Sequence, residues 1–213
     1  MKIDKFLILI FLSILFLSFA VYWQFKSFQK ALTGVELPRF EMPTIEFFPA
    51  ETDKISKEFI SPDWKLKLKY SSDWQEMPKE ALEGFNQAMV KEGTEILLLA
   101  QKIELEKGTS ASLVVQEFPL QEGENLEKII EEIKENFKEG GVEIEILKLE
   151  IKNGEALLEA RGGEKGLPAF YFKEKIILLE DKAYLIAFLT LEKDWPEFEN
   201  EANEILDSVQ IEK

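Results

Sequence analysis

Cysteine and histidine are both absent from this 213-residue sequence. Their absence excludes disulfides, thiolate nucleophiles, Cys/His zinc sites, Ser–His triads and imidazole pH switches. A lipidated cysteine anchor is excluded as well. Basic residues are scarce, 26 Lys and Arg against 41 Asp and Glu, for a net charge of -15. Residues 1–39 hold Lys2, Lys5, Lys26, Lys30 and Arg39 against only Asp4 and Glu36, so the remainder is more acidic still. Such a surface repels phosphate backbones, and no basic stripe offsets it, which argues against a nucleic-acid partner. Charge also disfavours docking of the acidic part onto an anionic lipid surface. Carboxylates abound, yet no Asp-x-Asp-x-Asp-Gly calcium loop occurs, so no metal site is expected.

Apolar residues make up 46% of the chain, with 17 Phe, enough to build a core. The longest apolar run, Phe6–Trp23, carries no charge. As a helix it spans roughly 27 Å at about 1.5 Å per residue, close to the hydrocarbon thickness of a bilayer. Phe6 and Leu17 lie within the run, and Tyr22 and Trp23 end it as an interfacial belt does. The expectation is a signal anchor that keeps the chain in the lipid bilayer. Ser18 and Ala20 leave cleavage after Ala20 open. Lysines on both sides make the positive-inside count close to a tie. A five-residue tail before a first span favours a cytoplasmic amino terminus and an extracytoplasmic domain at the cell membrane. The expected division is a tail 1–5, a transmembrane helix 6–23, a proline-containing linker 24–62 and a domain 63–213.

Within the domain, "DWKLKLKY" alternates, with Trp64, Leu66, Leu68 and Tyr70 on one side and Lys65, Lys67 and Lys69 on the other, as a half-buried strand does. A helix is expected from Pro78 to Val90, with Ala81, Leu82, Phe85, Ala88 and Met89 inward. Strands Thr94–Leu105 and Ala111–Phe118 follow, then an amphipathic helix Asn125–Lys138 with an outer Glu124–Lys128 pair. Four strands come next: Val142–Lys152, Glu155–Arg161, Ala169–Glu180 and Ala183–Glu192. Asn153-Gly154 is a strong hairpin signal between the first two. "AYLIAFLTL" is apolar on both faces and so is expected at the centre of the sheet. A last helix opens at Asp194, read as an N-cap with Glu197 completing a capping box. Tight turns require antiparallel pairing, and the helices must cover the sheet. The expected class is α+β, an antiparallel sheet of about six to seven strands flanked by helices.

The succession "YSSDW", "SLVVQEF", "NLEKIIEEIKENF", "GEALLEARG", "AFYFKEKIILLEDKAYLIAFLTLEKDW" and "EILDSVQI" resembles the PsbP-like proteins, including the Ran-binding Mog-type proteins, over about Trp64 to Ile211. The resemblance implies an α-β-α sandwich and a non-enzymatic role; relatives serve as extrinsic subunits, partner-binding modules and envelope proteins. It carries over no functional residues.

The remaining catalytic residue types give no motif. Glu131, Glu132 and Glu135 read as the solvated face of a helix. Ser71, Ser72, Ser110 and Ser112 offer hydroxyls for a Ser–Lys pair that no motif presents. "RGGEKG" lacks the Gly-Lys-Ser/Thr ending of a phosphate loop. Arg161 could clamp an anion, with a surface ion pair as the plainer reading. No catalytic residue and no cofactor are expected. Phe170, Phe172, Tyr184 and Phe188 are candidates for contact with a partner or an apolar ligand. The expectation is an accessory module with a protein partner; a carrier of a small apolar ligand or lipid is the alternative.

Overall fold

The computed structural model describes residues 56–89, 93–104, 106–163 and 167–212. They form β1 (Ser56–Ile60), β2 (Leu66–Ser71), β3 (Gln75–Glu76), α1 (Lys79–Met89), β4 (Glu95–Glu104), β5 (Thr109–Pro119), α2 (Leu126–Glu139), β6 (Glu143–Lys152), β7 (Glu155–Gly163), β8 (Phe170–Leu178), β9 (Lys182–Leu191), α3 (Trp195–Asp207) and β10 (Gln210–Ile211). The anchor residues Phe6, Leu17, Tyr22 and Trp23 lie outside the described residues, as does the tail. Among the described residues no helix is long and apolar enough to cross a membrane.

Seven strands form one antiparallel sheet in the order β3-β4-β5-β9-β8-β7-β6. β9, apolar on both faces, is its middle strand and is buried from Ala183 to Thr190. Asn153 and Gly154 turn β6 into β7 with positive φ at both positions, the geometry a two-residue hairpin of this twist demands. Side-chain alternation divides the sheet into two apolar faces. On one, Phe118, Leu158, Phe172, Ile176 and Leu185 pack under Leu126, Ile129, Ile130, Ile133 and Phe137 of α2. α1 joins this side through Leu82 and Phe85, over Ile96, Leu99 and Val114. On the opposite face, Leu113, Tyr184, Ile186 and Phe188 meet Phe198, Ala202, Ile205 and Leu206 of α3, together with Leu66, Leu68 and Tyr70. Helices on both faces make an α-β-α arrangement.

Several local expectations are corrected. β2 is not part of the main sheet; it is the middle of a three-stranded sheet, β1-β2-β10. β1 comes from a segment read as linker, where Ser56–Ile60 pair along β2 and Phe59 reaches the core. Prolines flank this strand without interrupting it, which hid it in the sequence. Trp64 does not share the inward side of β2; it sits in the preceding turn at φ +64 and is exposed. Ala81 likewise faces solvent. Asn125 caps α2 by accepting from Lys128 N, but Lys128 Nζ bonds Gly123 O and Glu124 bonds Gln121 N, so the expected outer pair does not form. Asp194 makes no cap: a 3-10 turn, Glu192–Asp194, leads into α3, Asp194 has helical dihedrals, and its carboxylate takes Lys193 instead.

Candidate functional site

The pleat of β6 sets the most distinctive exposed surface. As the last strand of the sheet it pairs only with β7, leaving its other edge without a strand partner among the described residues. Its register with β7 shifts between Ile146 and Lys148, so Leu147 is bulged out. Opposite Leu158 and Ala156, which are buried, stand Leu149 and Ile151, which are not. Leu147, Leu149 and Ile151 are 44%, 41% and 40% exposed and make up half of the large exposed apolar side chains described. Glu143, Glu145, Lys148, Glu150 and Lys152 line the other side of the strand. An open edge with apolar residues alternating with charges can add a further strand through backbone hydrogen bonds, with side-chain pockets supplying selectivity.

The aromatic candidates do not converge. Phe170 and Phe172 lie under α2, where Phe137 stacks on both at centroid distances of 5.9 and 5.4 Å. Tyr184 and Phe188 lie on the opposite face, with Phe188 edge-on to Trp74 at 5.6 Å. All four are buried. Two open clefts lie elsewhere. One of about 280 Å³ runs between the β6–β7 hairpin and the end of α3, lined by Lys152, Asn153, Glu155, Lys175 and Asp207 among others. The other, about 340 Å³, is lined by Glu145, Arg161, Gly162 and Glu192 among others. There Arg161 is engaged by Glu145 (2.8 Å) and Glu192 (3.0 Å), which hold its charge and leave no free fork for an anion. A Cβ on Gly162 would meet Glu143 O at 2.7 Å, so glycine here permits the close passage of β6.

Of the serines singled out in the sequence, Ser71 stands in one cluster with a lysine. Its hydroxyl bonds Asp73 and Glu201 (2.6 Å), while Lys102 Nζ bridges the same carboxylates at 2.7 and 2.8 Å. Burial pulls Lys102 down, but its bonds to Asp73 and Glu201 outweigh it and raise the pKa. A lysine held protonated cannot take a proton from serine. Glu131 pairs with Lys134 on the outer face of α2 at 2.6 Å. No cluster of three or more Asp or Glu able to hold a metal occurs among the described residues.

No protein-family model matches the chain, and no curated protein matches it. Among solved structures, cyanobacterial PsbP (CyanoP) from Synechocystis sp. PCC 6803 matches with a TM-score of 0.51 at 11% identity, covering 78% of this chain and 97% of that one. The fold is PsbP-like. LpqN, involved in cell envelope biogenesis of Mycobacterium tuberculosis, matches at 10% identity with a TM-score of 0.48, covering 74% of this chain and 91% of that one. At such identities the likeness to CyanoP is one of fold alone. The strand order of this chain makes β6 the sheet edge. The edge was missed in the sequence because strand order is not written there; the signal was the alternation of "EIEILKLEIK" with apolar residues that a single helix cannot fully cover.

Proposed function

We propose that the protein is a membrane-anchored, extracytoplasmic accessory module without catalytic activity, which binds a protein partner through the free edge of β6. The observation that supports this most directly is the set Leu147, Leu149 and Ile151, exposed on a ten-residue strand with no outer neighbour among the described residues. The uncharged run Phe6–Trp23 supports the anchor. Pairing of Lys102, Ser71 and Arg161 with carboxylates supports a binding role over a chemical one. The carrier reading draws less support, since Phe170, Phe172, Tyr184 and Phe188 are packed in two separate cores and the described clefts adjoin none of them.

A photo-crosslinking residue at Leu149, compared with one at exposed Glu83 on α1, tests the edge in intact membranes. The expected result is a discrete adduct from position 149 alone, lost when Ile151→Lys is added. Equal or absent labelling at both positions contradicts the reading. Mature protein that begins at Val21 and fractionates as soluble material contradicts the anchor.

A further inference from the structure

Trp64 is 65% exposed, the most exposed of the large apolar side chains described, and its φ of +64 places a bulky residue in the left-handed region. Such backbone costs free energy, as does an indole left in water, and both persist only where surrounding structure imposes them. The turn is imposed by a set of bonds. Ser61 N donates to Leu66 O and Trp64 N to Ser61 O, each at 2.9 Å. Lys65 N donates to Asp63 Oδ1 at 3.1 Å. Asp63 in turn is gripped by Lys182 Nζ at 2.7 Å and by the Tyr184 hydroxyl at 2.9 Å, both on β9. The indole is therefore held outward on a loop pinned to the central strand.

Beyond it, burial of Leu66, Leu68 and Tyr70 turns Lys65, Lys67 and Lys69 to the outer side of the small sheet. Lys67 pairs with Glu212, and Glu58 stands opposite Lys69 in the register. Lys65 and Lys69 have no ion pair among the described residues, and Ile60 stands beside Lys67. On a chain of net charge -15, three lysines follow the exposed tryptophan along this face.

We propose that the outer face of the small sheet, led by Trp64, rests on the lipid surface to which the chain is tethered. The inference depends on the anchor in the reading above. The indole lies at headgroup depth, where its apolar body and N–H suit the interface, while the lysines meet anionic headgroups. Three observations select lipid as the occupant. The chain enters the domain at β1, the strand beside β2, so the face nearest the tether in sequence is this one. Its lysines are opposite in sign to an anionic leaflet and to the rest of the domain, so contact here turns the acidic bulk away from the bilayer. Lysine stems beside a tryptophan can lie along the interface with their charges in water. The negative overall charge disfavours a general docking of the domain, and a local face oriented by the tether escapes that objection.

The test uses the full chain with Trp23→Phe, reconstituted in vesicles of phosphatidylcholine and phosphatidylglycerol with and without brominated acyl chains. Trp74 is buried, and Trp195 is half-buried and stacks on Tyr171 at 4.0 Å beside α3, so both report the main sheet and not the outer face of the small one. Brominated lipid should quench one blue-shifted component that disappears in Trp64→Phe. It should fall by about twofold or more in Lys65→Gln/Lys69→Gln or at high salt, as an electrostatic contact must. A chain that resists carbonate extraction but whose Trp64 is unquenched overturns the proposal while leaving the anchor intact. Extraction by carbonate overturns the anchor, and this inference with it. Protection of Trp64 only after native membrane proteins are added assigns the face to a protein and overturns the lipid contact.

Discussion

The two faces of the main sheet bury comparable apolar layers but treat ionisable groups in opposite ways. Under α3 and the small sheet, lysines enter the layer in company. Lys102 bridges Asp73 and Glu201; Lys173 meets Glu159 (2.7 Å) and Asn203 (2.6 Å); Lys182 meets Asp63 (2.7 Å) and Glu117 (2.8 Å). Trp74, Tyr171 and Tyr184 donate to carboxylates of the same clusters. Under α2, Glu174 and Asn136 are buried, yet Glu174 Oε2 and Asn136 Nδ2 have no partner among the described residues. Glu174 stands between Leu158 and Ala187 in the register, with Phe172 and Ile176 beside it on the same face. Burial alone pushes its carboxyl up to about 8. One face is held by charge compensation and the other keeps a carboxylic acid neutral, so acid should weaken the first and alkali the second.

The largest effect is expected from removing one member of a buried cluster. Glu201→Ala leaves Lys102 short of a carboxylate and strips acceptors from Ser71 and the Trp74 indole (2.9 Å). Breaking such a pair costs about 3–5 kcal/mol, read as a shift of the urea midpoint; a change within error would show that the cluster is ornamental. Next comes Glu174→Gln on the opposite face. The folded-state pKa of Glu174 is raised, so its contribution is intact below about 4.5, the unfolded range, and is lost as pH rises toward about 8. The variant should match the parent near pH 4 and exceed it at pH 8.5 by on the order of 2–4 kcal/mol. Equal stability at both pH values would place an unseen partner on the carboxyl.

Asp63 sharpens the contrast from the acid side. Burial opposes its ionisation, but bonds from Lys182, Ser61, Lys65 N and Tyr184 win and hold the carboxyl well below the usual range. Its contribution is present above about pH 4 and lost as pH falls through the depressed value. Lys182→Met should flatten the acid limb of the stability profile by about 1 kcal/mol, discounted for the solvent at this site. The alkaline limb, which belongs to Glu174, should not move.

Much of this architecture is legible in the sequence, and what is not has a physical reason. Alternation and turn chemistry locate β4 to β9, because local pairing through tight turns leaves little freedom. The double-sided apolar run of β9 matches its central place in the sheet. β10 escapes notice because a two-residue strand made by long-range pairing has no local signature, whereas β1 pairs locally with β2 and is hidden by the prolines around it. Asp194 looks like a cap on spacing alone, but the chain leaves β9 through a 3-10 turn that takes the cap position away. Glu174 is inconspicuous in "YFKEKIIL", where charges read as an outward row. Only the register shows that Lys173 and Lys175 face α3 while Glu174 faces α2. The open edge of β6 depends on strand order, which no local pattern encodes.

The smallest effect tests whether burial or charge separates the clusters from the rest. Arg161 repeats the chemistry of Lys102: one cation between two carboxylates, Glu145 and Glu192, at comparable distances and on the same side of the sheet. The difference is solvent, for the Arg161 side chain is 46% exposed and that of Lys102 9%. Water already satisfies each charge in the unfolded chain and nearly so in the folded one, so the pair gains little beyond ordering two side chains. Arg161→Gln should therefore shift the urea midpoint only slightly, and that shift should vanish in high salt. The loss from Glu201→Ala should persist there, since ions screen a buried cluster poorly. Similar losses in both variants would mean that the number of ion pairs, not their removal from water, holds α3 to the sheet.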